Sequence, residues 1–201
     1  VFLPRHGIGH RFSPSDIPYR ANVYALRMLG VERIVSVSAV GSLCEEYAPG
    51  DFVLPDQLVD RTTKRQQSFF GEGLVAHVSL AQPIDQQMAS MVLTAGKALG
   101  LKIHQGGSYV TIEGPQFSTQ AESELFRSWG CQLVGMTNGS EAKLAREAGM
   151  EFCTIAMVTD FDCWKEEHCT VEEIMKVMKE NNKKAQGLIL NLIDKIDLAK
   201  W

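Results

Sequence analysis

The residues best suited to chemistry stand where apolar runs end. Asp160 and Asp162 follow Glu151–Thr159, the clearest strand-like run in the chain, in Thr159-Asp160-Phe161-Asp162-Cys163-Trp164. Two carboxylates two residues apart at a strand end seldom serve packing. They suit a metal ion or, with one carboxyl protonated, the donation of a proton. Capping of a following helix is the plainer explanation for Asp162 alone. Arg5 and His6 lie in Pro4-Arg5-His6-Gly7, directly after a short apolar run. A guanidinium is a fork that fits phosphate or carboxylate, and an imidazole can give or take a proton near neutral pH. A solvated arginine and a loop histidine would explain this tetrapeptide equally well.

Three further turns carry polar groups at strand ends. In Val37-Ser38-Ala39-Val40-Gly41-Ser42, small side chains let backbone N–H groups approach a ligand closely. In Thr111-Ile112-Glu113-Gly114-Pro115-Gln116-Phe117, an acid and an amide occupy a rigid turn. Helix capping accounts for the Ser118 and Thr119 that follow, but not for Glu113. In Gly135-Met136-Thr137, Met136 offers a flat apolar wall and Thr137 a donor to an anion. There is no P-loop, no Gly-x-Gly-x-x-Gly after a strand, no nucleophile elbow and no Ser-His-Asp pattern. His6 and His10 have helical metal-ligand spacing, but Gly7 and Gly9 between them argue against a helix. Cys163, His168 and Cys169 lack an evident fourth ligand for zinc, so no metal site is expected.

The elements that must position these residues alternate in α/β order. Val1–Leu3 reads as the end of a strand, Asp16–Leu29 as a helix stopped by Gly30, and Ile34–Ser38 as a buried strand. Asp51–Leu54 and Gln57–Arg61 read as strands, Ile84–Leu99 as a helix, and Lys102–Ile112 as one strand interrupted at Gly106-Gly107. A capping box from Thr119 to Glu122 starts a helix that runs to Trp129. Gln132–Met136 and Glu151–Thr159 read as strands and Ser140–Ala148 as a helix. A second capping box, Thr170 to Glu173, opens a helix with Val171, Ile174, Met175, Met178, Ala185, Leu188 and Ile189 on one stripe. Lys64–Ala76 reads as a surface excursion.

The 201 residues suit one α/β domain, and 45% apolar with 22% charged residues is ordinary globular composition. No apolar run reaches the length of a membrane span. The net charge of −4 argues against a nucleic-acid binder. Five cysteines, at 44, 131, 153, 163 and 169, are read as reduced thiols in a cytoplasmic protein.

Taken together and in order, these motifs resemble the trimeric purine nucleoside phosphorylases. Pro4–Gly7, Tyr19–Asn22, Ser38–Ser42, Pro49–Asp51, Asp60–Thr63, Thr111–Phe117, Gly135–Thr137 and Thr159–Lys165 carry the resemblance, which spans essentially the whole chain. It implies a single α/β domain over 1–201, with a mixed β-sheet flanked by helices, assembled as a homotrimer. It implies phosphorolysis of 5′-methylthioadenosine to adenine and 5-methylthioribose 1-phosphate, in purine and methionine salvage. Inorganic phosphate is then the co-substrate, and no metal or organic cofactor is used. By position, Arg5, His6, Ser38 and Thr137 would hold phosphate. Ala39, Met136 and Glu113 would line the nucleoside pocket, Asp160 would be the catalytic acid, and Asp162 would pair with it on the purine. His77 would reach the 5′ substituent in a neighbouring subunit. The family begins earlier, with a strand and a Gly-rich turn absent from these residues, and Gly135 and Gly139-Ser140 depart from the Asn and Val-Pro of some members. A preference for 6-oxopurines, or a chain that folds without catalysing, remain alternatives.

Overall fold

The computed structural model describes residues 1–165 and 170–195. Two long strands, β1 (Arg33–Ser42) and β7 (Glu151–Asp160), run parallel through the centre. Every β7 residue from Phe152 to Thr159 is buried, which explains its near-continuous apolar sequence. Around this pair a seven-stranded mixed sheet has the order β3-β5-β6-β1-β7-β2-β4. Its other strands are β2 (Phe52–Leu54), β3 (Gln57–Asp60), β4 (Ile103–Gln105), β5 (Ser108–Thr111) and β6 (Leu133–Gly135).

The sheet curls, and the reason is local. β2 and β3 are one run broken at Pro55-Asp56, and β4 and β5 one run broken at Gly106-Gly107. Gly106 N donates to Leu54 O at 2.9 Å, and Asp56 N to Gly107 O at 3.1 Å, so the two runs stay hydrogen-bonded across both breaks. β2 and β4 thus lie at one edge while β3 and β5 lie at the other. The single strand expected over Lys102–Ile112 is therefore two, because the glycines let the chain change direction while keeping its partner. Val40, Val53, Tyr109, Leu133, Ala156 and Val158 form one packed cluster contributed by five different strands.

Helices cover the remaining apolar surface. α1 (Tyr19–Met28) and α4 (Asn138–Glu147) bury Tyr19, Val23, Ala142, Leu144 and Ala145 together with Phe152. α2 (Gln86–Ala98) and α5 (Val171–Lys195) bury Met88, Val92, Ala185, Leu188 and Leu192 against Ile155 and Met157. α3 (Gln120–Ser128) packs Phe126 on Val110 and Val134. Its capping box is formed: Glu122 N donates to Thr119 Oγ1 at 3.2 Å and Thr119 N to Glu122 Oε2 at 2.8 Å. The box at Thr170 and Glu173 is formed in the same way.

Several sequence expectations change. Val1–Leu3 forms no strand; no neighbouring backbone pairs with it, and Val1 and Phe2 are exposed. β1 extends to Ser42, since the small residues after Ser38 keep pairing with β7 and, at Gly41 and Ser42, with β6. On α5, Met175 is exposed, whereas Asn181 is buried and donates from Nδ2 to Val158 O at 2.9 Å. The side chain of Val171 lies outside the described residues, as do His168 and Cys169. Cys44, Cys131, Cys153 and Cys163 are free thiols. No described helix is long and apolar enough to cross a membrane.

Leu188 is completely buried between α5 and β7. Leu188→Ala should therefore cost about 2–5 kcal/mol of stability through lost burial and the cavity left behind. Denaturant unfolding measures this; a loss below about 1 kcal/mol would mean that α5 is not docked as described.

Candidate active site

The loop before α1 delivers Arg5 and His6. Gly7 N donates to Pro4 O at 2.8 Å and Phe12 N to His6 O at 3.0 Å, closing a tight turn. Gly7, Gly9 and His10 have φ of +74°, +77° and +54°, which rules out a metal-binding helix over His6–His10. The two imidazoles instead stack, with centroids 4.0 Å apart. His6 Nδ1 lies 2.9 Å from Phe12 O, so Nδ1 carries the hydrogen and donates, which leaves Nε2 as an acceptor. Burial lowers the His6 pKa, with the nearby His10 and Arg5 adding to the effect, so the ring is neutral.

Arg5 reaches β1 and α4. Its Nε donates to Glu141 Oε1 at 2.5 Å, Nη1 to Val37 O at 2.9 Å and Nη2 to Ser36 Oγ at 2.6 Å. Burial alone would lower its pKa, but the Glu141 carboxylate outweighs that and leaves the guanidinium above its ordinary value. Two residues along β1, on the same buried face, Ser38 Oγ lies 3.4 Å from the hydroxyl of Tyr109. That hydroxyl is completely buried, which raises its pKa to about 12 and keeps it neutral. Thr137 occupies the N-cap position of α4 without capping it, and its Oγ1 is buried with no hydrogen-bond partner. A buried hydroxyl at a helix N-terminus with no protein partner is free to donate to an anion, which such a terminus favours.

The acids sit further along the same strand pair. Gly41 on β1 faces Asp160 on β7 across a bulge, three residues beyond Ser38, or about 10 Å at the rise of a strand. A Cβ on Gly41 would lie 3.1 Å from Val134 Cγ1, 3.3 Å from Asp162 Cβ and 3.4 Å from Asp160 Oδ2, so both acids come close to the backbone of β1 there. Asp160 accepts from Thr159 Oγ1 at 2.6 Å and from Asp162 N at 2.9 Å, and Asp162 has a left-handed φ of +51°. Burial raises both carboxyl pKa values; the charge of Asp160 raises that of Asp162 further. Ala39 is exposed and Met136 half-buried.

Residues 1–194 match the phosphorylase superfamily. The chain belongs to it. It is 54% identical over 191 residues to the S-methyl-5′-thioadenosine phosphorylase of Rhodospirillum rubrum, covering 94% of this chain and 65% of that protein. A methylthioadenosine phosphorylase from an Antarctic soil metagenomic library superposes with a TM-score of 0.92 at 48% identity, covering 96% of this chain and 69% of that one. The Schistosoma mansoni methylthioadenosine phosphorylase in complex with adenine superposes with a TM-score of 0.92 at 37% identity, covering 98% of this chain and 78% of that one. The chain thus spans about two thirds of the length of the curated relative it matches.

The superfamily fold gathers most of the sequence candidates. Arg5 reaches Glu141 in the first turn of α4, Thr137 stands at its N-cap, Ser38 lies two residues along β1 from the Ser36 that Arg5 also binds, and Asp160 and Asp162 share one turn. His77 is exposed on the excursion after β3 and makes no contact with them. Glu113 is committed to the protein. Its Oε1 accepts from Ser15 Oγ at 2.5 Å and Arg65 Nε at 3.2 Å, and its Oε2 from the backbone N–H groups of Thr63 at 2.7 Å and Lys64 at 3.2 Å. Burial pushes its pKa up, but these donors pull it down to about 2. No group of three metal-ligating side chains occurs among the described residues. An open recess of about 770 Å³ lies nearby, lined by Tyr19, Arg20, Tyr24, Arg65 and Phe69, but it includes none of Arg5, Ser38, Thr137 or Asp160.

Sequence reasoning missed Glu141, Tyr109 and Arg65. The Arg65 side chain has no exposed surface although it lies in the expected surface excursion. It donates to Met136 O at 2.5 Å, Glu113 O at 2.9 Å, Ser140 Oγ at 3.1 Å and Tyr19 Oη at 3.1 Å. Its neighbours Thr62-Thr63-Lys64 and Gln66-Gln67-Ser68 are all polar, so the sequence carries no signal of its burial.

The low Glu113 pKa has a consequence in acid. Its folded value of about 2 lies below the ordinary glutamate value of about 4.3. The stability it contributes is therefore full above about pH 5 and is lost as the pH falls towards 2. Glu113→Gln should have a lower melting temperature at pH 6 and a shallower decline between pH 5 and pH 2. Melting curves over that range check this; parallel declines for both proteins would refute it.

Proposed function

We propose that the protein catalyses phosphorolysis of 5′-methylthioadenosine to adenine and 5-methylthioribose 1-phosphate, a salvage reaction. The observation that carries this is the spacing of its two ends. An anion cradle of Arg5, Ser38 and Thr137 lies three residues, or about 10 Å of strand, before a turn carrying two carboxyls whose pKa values burial raises. That is the span of a nucleoside with phosphate beneath its sugar. The names of the relatives agree with this reading.

In this reading Arg5 and the Thr137 hydroxyl hold hydrogen phosphate. Neutral His6 accepts from its P–OH, and Ser38 Oγ turns from Ala39 O, 3.3 Å away, towards a phosphate oxygen. A phosphate oxygen attacks C1′ as the bond from C1′ to purine N9 breaks, and the bonding electrons pass to the purine. Positioning supplies much of the rate, and the developing negative charge must be met where it forms. Protonated Asp160 donates to N7, and adenine leaves carrying that proton while Asp160 becomes a carboxylate that regains a proton from water. The Asp160 carbonyl oxygen and Asp162 accept from the 6-amino group, whereas a 6-oxo group would itself need a donor. Ala39 and Met136 wall the nucleoside, and Glu113 borders the same pocket. Inorganic phosphate is the co-substrate, with no metal or organic cofactor, and the protein is cytoplasmic.

The proposed assembly is a homotrimer in which His77 reaches the 5′ substituent bound by a neighbour. Leu74, Val75 and Val78 are exposed on the same excursion and give it an apolar surface to cover. Sedimentation at working concentration should return a trimer; a monomer would refute the shared site.

Asp160→Asn tests the acid. Turnover of methylthioadenosine should fall by roughly two to three orders of magnitude at saturating phosphate. Relative activity on methylthioinosine should rise, because an amide can donate to both N7 and O6. Full activity of the variant on methylthioadenosine would remove Asp160 from the mechanism.

A further inference from the structure

We infer that Glu141 is a positioning residue for phosphate, acting through Arg5. This rests on reading Arg5 as a phosphate ligand. Arg5, Ser36 and Glu141 close a ring. Arg5 Nε donates to Glu141 Oε1 at 2.5 Å, Ser36 Oγ donates to Glu141 Oε2 at 2.7 Å, and Arg5 Nη2 donates to Ser36 Oγ at 2.6 Å. Nη1 donates to Val37 O at 2.9 Å. Three of the five guanidinium N–H groups are thereby engaged, and one remains on each of Nη1 and Nη2. A free donor on each Nη is what two oxygens of one phosphate require.

The ring has a register with the anion cradle. Ser36 and Ser38 are two residues apart on one face of β1, and both are buried. Thr137 and Glu141 are one turn apart on α4, and Glu141 N donates to Thr137 O at 3.4 Å. Two rungs result: Ser38 and Thr137 at the ligand, with Ser36 and Glu141 behind. Arg5 spans from the rear rung towards the front. It comes from a loop with no strand or helix to direct it, so its direction is set by the groups it binds. Glu141 takes the Nε side and leaves the opposite end to the anion. Its carboxylate also stands in the first turn of α4, where negative charge is favourable.

A purely structural ion pair would change stability without singling out phosphate. The test is a double-mutant cycle on the intact protein, using Glu141→Gln, Arg5→Ala and the double variant. Inorganic phosphate binding is read by calorimetry, and the KM values for phosphate and for methylthioadenosine by steady-state kinetics. Glu141→Gln should raise the phosphate Kd and KM by about tenfold or more, the effect of losing one charge-assisted bond, with the nucleoside KM little changed. The double variant should bind phosphate no more weakly than Arg5→Ala alone, since Glu141 acts only through Arg5. An unchanged phosphate constant in Glu141→Gln, or additive losses in the double variant, would overturn the inference. If Glu141→Gln does not fold, Ser36→Ala breaks the same ring and should raise the same constant less; no rise there would overturn it equally. A wild type that binds phosphate but does not cleave methylthioadenosine refutes the proposed activity and leaves this inference to be decided by the binding cycle.

Discussion

The parallel pairing of β1 with β7 is the constraint on which the rest of the site depends. Serines at alternate positions of β1 face one side, and the register sets Ser38 opposite Ala156 and Gly41 opposite Asp160. The separation of Ser38 from the acids is therefore a number of strand residues rather than the outcome of loop packing. On β1 alternate residues from Ser36 to Ser42 are buried, so slipping by one residue would turn every side chain to the wrong side. The bulge between Val40 and Gly41 brings the acids against the glycine instead of past it.

Around that fixed pair, the loops are held by buried charge. Arg65 bonds to backbone or side-chain oxygens near Met136, Ser140, Glu113 and Tyr19, joining the excursion after β3 to the start of α1, the turn after β5 and the start of α4. Glu113 answers it and gathers the backbone of Thr63 and Lys64. A buried charge is costly unless all its hydrogen bonds are met, and here they are met by several separate segments. The arrangement adds directional order to loops that apolar contacts alone would leave free to slide. Arg5 and Glu141 repeat the principle at Ser36 on β1.

Much of the scaffold was legible in the sequence because its signals are local. The capping boxes at Thr119 and Thr170 satisfy N–H groups three residues away, and both form as read. The apolar run of β7 needs nothing beyond its own composition to read as a central strand. The candidate residues at strand ends were legible for a related reason: open α/β sheets place ligands at the carboxyl ends of their strands, and punctuation by Gly and Pro marks those ends. The errors fell where pairing decides. Val1–Leu3 has strand-like composition but no partner, and the run through Gly106-Gly107 has one composition but two places in the sheet.

The sequence by itself determined the order of elements, the caps, the buried strand and a set of polar residues at strand ends whose joint pattern points to one family. Tertiary structure decided which of those residues meet and what holds them. Arg5 and Glu141 are 136 positions apart, and no periodicity or spacing rule connects them. Tyr109 reads as an ordinary strand aromatic until the curl of the sheet brings its hydroxyl to Ser38. Arg65 reads as a surface cation until four segments close over it. Hydrogen-bond chemistry within a few residues is written in the chain, whereas the pairing of distant charges exists only once burial has removed the water that would otherwise solvate each of them.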